Sequence, residues 1–170
     1  MRIEKVSRDM FPEINLDHYK REQKVTRIYV KREDAYELEE QPGVMDWSID
    51  KKREVARDLM SDDYISYLAL EEDRIVGFVS LVKDLVGERM ILDMMQVDSD
   101  FRGQGIGRIL WNKAVEEARL HGAKELYISA CPSEETIHFY RAMGAEVTNS
   151  LIRSIADEEP YDLQMVCRLW

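Results

Sequence analysis

The strongest constraint on the fold is a change of hydrophobic period across a glycine-rich break. Arg89 to Val97 reads as a strand. The chain then runs through Asp98-Ser99-Asp100-Phe101-Arg102-Gly103-Gln104-Gly105-Ile106-Gly107 into Ile109, Leu110, Ala114, Val115 and Ala118, which recur at helical spacing before a stop at Gly122. Gly103, Gly105 and Gly107 can take backbone angles closed to other residues, and they leave room for a ligand to touch the main chain. The first amides of such a helix have no partner within it and point outward with the positive end of its dipole. A pyrophosphate suits that geometry, and Arg102 and Arg108 can add charge-assisted contacts. The segment is not a P-loop, because Gly107 is followed by Arg108-Ile109 and not by Lys-Ser/Thr. It is not a Rossmann fingerprint either, because Arg108 stands where the third glycine should be.

The flanking patterns extend this unit. Tyr64 to Leu70 and Ile75 to Val82 read as strands joined by a turn at 71–74, and Val86-Gly87-Glu88 turns the chain into the 89–97 strand, completing a meander. Leu126 to Ala130 is a short apolar strand, so the 89–130 crossover should be parallel and right-handed, with a site at the C-terminal strand ends. Ser133 can cap a helix carrying Ile137, Tyr140 and Met143 and ending at Gly144. Strands are expected near 146–153 and 162–169, and a first one at Val25 to Val30. Residues 31–48 read as acidic and turn-rich around Gln41-Pro42-Gly43, and Ser48 can cap a helix over 50–60. The whole predicts an α+β layer structure.

The chain has 170 residues, which suits one domain, and its net charge is −10. That charge argues against nucleic acid, which needs a basic stripe, and favours a cationic substrate; the excess acid also serves solubility. No window reaches the roughly 18 apolar residues that span a bilayer, and the first residues lack the apolar run of a signal peptide, so a cytoplasmic location with no membrane partner is expected. His18, His121 and His138 lie far apart and show no metal-ligand spacing, so no metal is expected. Cys131 and Cys167 are expected to be free thiols.

Arg102-x-x-Gly105-x-Gly107, placed after a strand ending in Val and before an amphipathic helix, resembles the Gln/Arg-x-x-Gly-x-Gly/Ala signature of the GNAT acetyltransferase superfamily. The stretch Ser133 to Gly144, with Tyr140 four residues before the glycine, resembles the family's second signature. The likeness is strong over about 64–145, weaker beyond, and slight before residue 60. It implies a mixed, mostly antiparallel sheet of six to seven strands with a central parallel pair and about four flanking helices. It also implies one domain over 1–170, with 1–60 on the acceptor side, 61–145 as the cofactor-binding core and 146–170 as C-terminal strands.

The resemblance further implies direct transfer of an acetyl group from acetyl coenzyme A to a primary amine through a tetrahedral intermediate. Met95, Gln96 and Val97 would pair with the pantetheine arm, Arg102, Gly103, Gln104, Gly105, Ile106, Gly107 and Arg108 would hold the pyrophosphate, and Ser133 and Thr136 would lie beside the cofactor. Ser133 stands where the family often has Asn. Tyr140 matches the frequent general acid, its alternative being a core aromatic. Asp93, in the otherwise apolar run Met90 to Met95, is a candidate base or else a structural acid. Cys131 reads as lining or core, because direct transfer needs no nucleophile.

The acceptor is an amine: small molecule, polyamine, antibiotic or peptide. The family builds its acceptor site from N-terminal helices and the loop between the last two strands. Here that loop carries Glu158 and Glu159, either substrate contacts or solvated acids, and Tyr36, Trp47 and Tyr67 are candidate walls. A longer acyl donor, a non-catalytic acyl-coenzyme A sensor and a homodimer through strand edges remain open alternatives.

Overall fold

Alternating apolar residues and tight turns give nine strands, and the glycine break inserts the longest helix. The computed structural model describes residues 1–170. In order the elements are β1 (Arg2–Lys5), β2 (Gln23–Arg32), β3 (Ala35–Met45), α1 (Ile49–Leu59), β4 (Tyr64–Glu71), β5 (Arg74–Val82), β6 (Arg89–Val97), α2 (Ile106–Leu120), β7 (Glu125–Ala130), α3 (Glu134–Ala142), β8 (Glu146–Val147), α4 (Arg153–Ala156) and β9 (Leu163–Arg168). Seven strands form one sheet in the order β1-β4-β5-β6-β7-β9-β8, and β2 and β3 form a separate ribbon. Only β6 and β7 pair in parallel, as their helical crossover requires. The mixed sheet expected from the sequence is therefore present.

Helices cover both sheet faces. On one, α2 and α3 bury Leu110, Trp111, Ala114, Ile137 and Tyr140 against β5, β6, β7 and β9. On the other, α1 and the N-terminal segment bury Val55, Leu59, Leu16 and Tyr19 against Leu68 and Phe78. Gly77 lets α2 approach β5, since an added Cβ would lie 3.1 Å from both the Leu110 side chain and the Gln96 carbonyl oxygen.

The boundaries depart from expectation in three places. Residues 35–45, read as turn-rich, are strand β3. Between the pairs Val25–Gly43 and Arg27–Glu40 the ribbon carries one extra residue on the β3 side, a bulge where Pro42 needs no ladder N–H. The strand expected at 146–153 ends at Val147; Arg89 binds the Ser150 carbonyl oxygen and hydroxyl, and the chain turns into α4. Strand β1, with four residues, was too short to leave a pattern.

Glu117 on α2 joins three elements. Its Oε1 accepts from Lys5 Nζ (2.7 Å) and its Oε2 from Tyr67 Oη (2.6 Å). Burial works to raise its pKa, but Lys5, Tyr67 and His121 together hold it below the ordinary glutamate value. Its stabilisation is thus present above the usual carboxylate range and fades as pH falls through the depressed native value. Glu117→Gln should cost about 1–2 kcal/mol near neutrality. Urea unfolding at several pH values checks this, and the gap to wild type should shrink on acidification.

Candidate active site

The glycine segment is shaped as an open cradle. Gly103 (φ +78°) and Gly105 (φ +83°) are left-handed, and a Cβ added to either would meet nothing within 4 Å. Helices α1 and α3 have serine caps and acids in their first turns; α2 begins at Gly105 with neither. Its first internal bond runs from Ile109 N–H to Gly105 O, leaving the amides of Ile106, Gly107 and Arg108 without intrahelical partners. Ile106 is buried and anchors the helix start, while a Cβ on Gly107 would lie 3.2 Å from the Phe139 ring. Gln104 and Arg108 are exposed.

Arg102 does a different job from the one its sequence position suggested. Its guanidinium donates to the carbonyl oxygens of Val97 (3.0 Å), Glu22 (2.7 Å) and Arg21 (3.0 Å). It therefore clamps the N-terminal segment onto the end of β6, and Arg108 is the free cation at the cradle. Fully buried Asp98 reinforces the clamp by accepting from Lys20 N–H, Asp100 N–H and Arg74.

Next to the cradle the sheet opens. The β6–β7 ladder ends at the pair Leu92–Ile128, while β6 continues to Val97. Asp98 N–H bonds Val76 O on β5, so strand alternation turns the main-chain groups of Met95 and Val97 away from β5, into the opening. Gln96 faces β5 and offers no free edge. Asp93 is the extra residue of a bulge between the pairs Ser80–Met94 and Leu81–Leu92.

Tyr140 on α3 is 7% exposed, its ring 5.9 Å from Trp111. Burial pushes its pKa well above the ordinary tyrosine value, and Cys131 and Asp162 add to this, so the hydroxyl is a neutral donor at physiological pH. Ser133 is buried and already used: its hydroxyl donates to Thr136 Oγ1 (2.7 Å) and accepts from Gln23 Nε2 (3.1 Å). Thr136 stays partly accessible beside it.

Asp93 is solvent-accessible, yet partial loss of its water shell raises its pKa, helped by Asp58 and opposed by Ser80 and Lys51. These groups belong to the α1 side of the sheet, whereas the Tyr140 hydroxyl responds to Cys131 and Asp162. The two residues thus lie in different surroundings.

A cavity of about 850 Å³ lies where the β2–β3 ribbon meets the ends of β7 and β9. The ribbon is docked there by Tyr29 N–H on Pro132 O (2.8 Å) and by an Arg27–Glu134 ion pair. Tyr36, Cys131, Tyr161 and Asp162 line the cavity; Glu158 and Glu159 are exposed and do not. The loop's inward acid is therefore Asp162. A relay orients it: Tyr127 Oη donates to Gln164 Oε1 (2.6 Å), Gln164 Nε2 to Ser129 Oγ (2.8 Å), and Ser129 Oγ to Asp162 Oδ2 (3.0 Å). Burial raises the Asp162 pKa against the Ser129 hydrogen bond. Asp162 stands in the same acidic stretch, 157–162, as Glu158 and Glu159, and nothing in the sequence sets it apart from them. Of the candidate walls, Trp47 stacks on Tyr19 and Phe78, and Tyr67 is committed to Glu117 on the α2 side. Both cysteines are free.

Comparison with known proteins bears on family and fold. The acetyltransferase (GNAT) family model matches residues 32–145. Streptothricin acetyltransferase of Streptomyces lavendulae is 30% identical over 95 residues, which cover 54% of this chain and 50% of that protein. An uncharacterised N-acetyltransferase of Methanocaldococcus jannaschii is 44% identical over 52 residues, covering 29% of this chain and 23% of its own. The chain thus spans half or less of the length of these curated relatives. Among solved structures, a nourseothricin acetyltransferase superposes with a TM-score of 0.73 at 21% identity, covering 99% of this chain and 98% of that one. A Bacillus anthracis protein described as a streptothricin acetyltransferase, solved with acetyl coenzyme A, gives 0.74 at 15% identity over 98% and 97%. These two likenesses establish a shared fold across the whole chain. With both glycine signatures inside the matched region, this chain belongs to the GNAT acetyltransferase family.

Proposed function

We propose that the protein transfers an acetyl group from acetyl coenzyme A to a primary amine. The observation that carries this reading is the opening between β6 and β7, with the uncapped α2 cradle at one end and Tyr140 on its wall. The amides of residues 103–108 and the Arg108 guanidinium hold the pyrophosphate. Met95 and Val97 give the pantetheine arm a strand edge, and a free amide there polarises the acetyl carbonyl. Tyr140 protonates the departing thiolate. Ser133 and Thr136 shape the wall without lending the Ser133 hydroxyl. The amine enters from the side of the ribbon and the 157–162 loop, and the overall acidity of the chain favours a cationic acceptor.

Asp93 takes the proton from the amine, directly or through water. Its raised pKa makes it a stronger proton acceptor than an ordinary aspartate. Because the ionised form is the active one, the rate should climb with pH through that raised value. Asp93→Asn should lower kcat/KM about 100-fold and remove this acidic limb. A pH–rate profile with an unchanged limb would take Asp93 out of the role.

The reaction itself is tested by release of free thiol from acetyl coenzyme A with a panel containing a polyamine, an aminoglycoside, streptothricin and a lysine peptide. Amine-dependent release supports transfer. Tight binding with no release for any amine would instead mark an acyl-coenzyme A sensor.

A further inference from the structure

We infer that Arg21 forms a subsite for a carboxylate carried by the amine acceptor, beside the opening between β6 and β7; this rests on the transfer reading above. Arg21 is 5% exposed. Its carbonyl oxygen is tied to the end of β6 through Arg102 Nη2 (3.0 Å). Its side chain reaches toward the other wall: Nη1 donates to Gln23 Oε1 (3.1 Å), and Gln23 Nε2 donates to Ser133 Oγ (3.1 Å) at the start of α3. The guanidinium lies 5.5 Å from the centre of the Trp47 ring. Arg21 is therefore held at the end of β6 by its main chain and linked through Gln23 to the start of α3.

Its charge is unbalanced. The Nε–H is buried with no partner, and the Nη1 bond to Gln23 is the only hydrogen bond the guanidinium makes. No carboxylate lies within ion-pair distance, although the chain has 34 acidic residues and a net charge of −10. The one carboxylate that acts on it, Asp46, accepts from Trp47 N–H (2.7 Å), and Arg102 repels it. Burial, followed by Arg102, lowers its pKa, but an arginine begins so high that it stays charged. A buried, unpaired cation is costly, and a bound anion offsets that cost.

The free donors are Nε and Nη2, the edge of the guanidinium whose parallel N–H bonds fit the two oxygens of a carboxylate. The donor's phosphates belong at the α2 cradle, and its pantetheine and acetyl groups are uncharged. The anion at Arg21 must therefore arrive with the acceptor. The N-terminal segment carrying Arg21 packs on the α1 face, where Asp93 lies, so one acceptor would present its amine to Asp93 and its carboxylate to Arg21. The class this selects is amino acids and related amino-carboxylates.

The test compares amino acids, lysine among them, each with its own carboxamide, on wild type, Arg21→Gln and Arg21→Lys. Wild type should favour the carboxylate partner about 10-fold or more in kcat/KM. Arg21→Gln should bring the ratio near 1 with KM for acetyl coenzyme A unchanged, and Arg21→Lys, which keeps the charge but not the fork, should fall between. Melting curves establish that each variant is folded, and Arg21→Lys carries the comparison if the Gln variant is not. No preference in wild type, or an equal fall in kcat for both partners in Arg21→Gln, would overturn the subsite; the equal fall would assign the charge to the reacting carbonyl oxygen. Calorimetric titration of lysine into the coenzyme A complex separates this from the transfer reading. Binding that needs Arg21, without turnover, sinks transfer and keeps the subsite; absence of binding to wild type sinks the subsite.

Discussion

Replacing Tyr140 with Phe is expected to lower kcat about 100-fold while leaving KM for acetyl coenzyme A within about 2-fold. The ring is a core element, packed on Trp111 and Phe139, and Phe preserves that packing. Only the hydroxyl is lost. Burial and the nearby Cys131 and Asp162 hold it neutral, and no hydrogen bond contributes to that shift, so its removal leaves no partner stranded. The melting temperature should therefore stay near that of wild type. The departing thiolate, deprived of its donor, should leave slowly. Steady-state thiol release checks this, and unchanged kcat would return Tyr140 to a packing role.

Gly105→Val should raise Kd for acetyl coenzyme A more than 10-fold. The left-handed backbone at φ +83° costs any L-residue about 1–2 kcal/mol, and a β-branched one at least that. Nothing in the protein lies within 4 Å of the added Cβ, so the affinity loss comes from occupying the space the phosphates need. Gly87→Val is the matched control. Gly87 is also left-handed (φ +62°) and unobstructed, but it sits in the turn before β6. Both variants should lose comparable stability by thermal melting, and only Gly105→Val should lose acetyl coenzyme A in a binding titration.

How much was legible follows from how local each signal is. The meander, α2, β7 and α3 are written in short-range periods, and the cradle is written in three glycines between a strand and a helix. Tyr140 was singled out through its distance from Gly144, and the fold places it on α3 against Trp111. The ribbon strand β3 was hidden because its acids face solvent and Pro42-Gly43 resembles a turn, whereas in space the proline sits in a bulge. Glu158 and Glu159 drew notice as a charge cluster, but the inward acid is Asp162, selected by Ser129 and Gln164 on neighbouring strands. Arg102 carries the signature, yet carbonyl oxygens of residues 21 and 22, far off in sequence, decide what its guanidinium does. Arg21 had no sequence signal at all. Its meaning lies in the acid that is missing from its surroundings, and only the folded chain shows that.

The central claim is that one opening, from the α2 cradle to Tyr140, receives acetyl coenzyme A. A crystal structure of the protein with coenzyme A tests it most directly. Pyrophosphate oxygens are expected on the amides of residues 103–108, pantetheine alongside Met95 and Val97, and the sulfur within about 3.5 Å of Tyr140 Oη. Pyrophosphate bound away from the α2 N-terminus, or a sulfur out of reach of Tyr140, would contradict it.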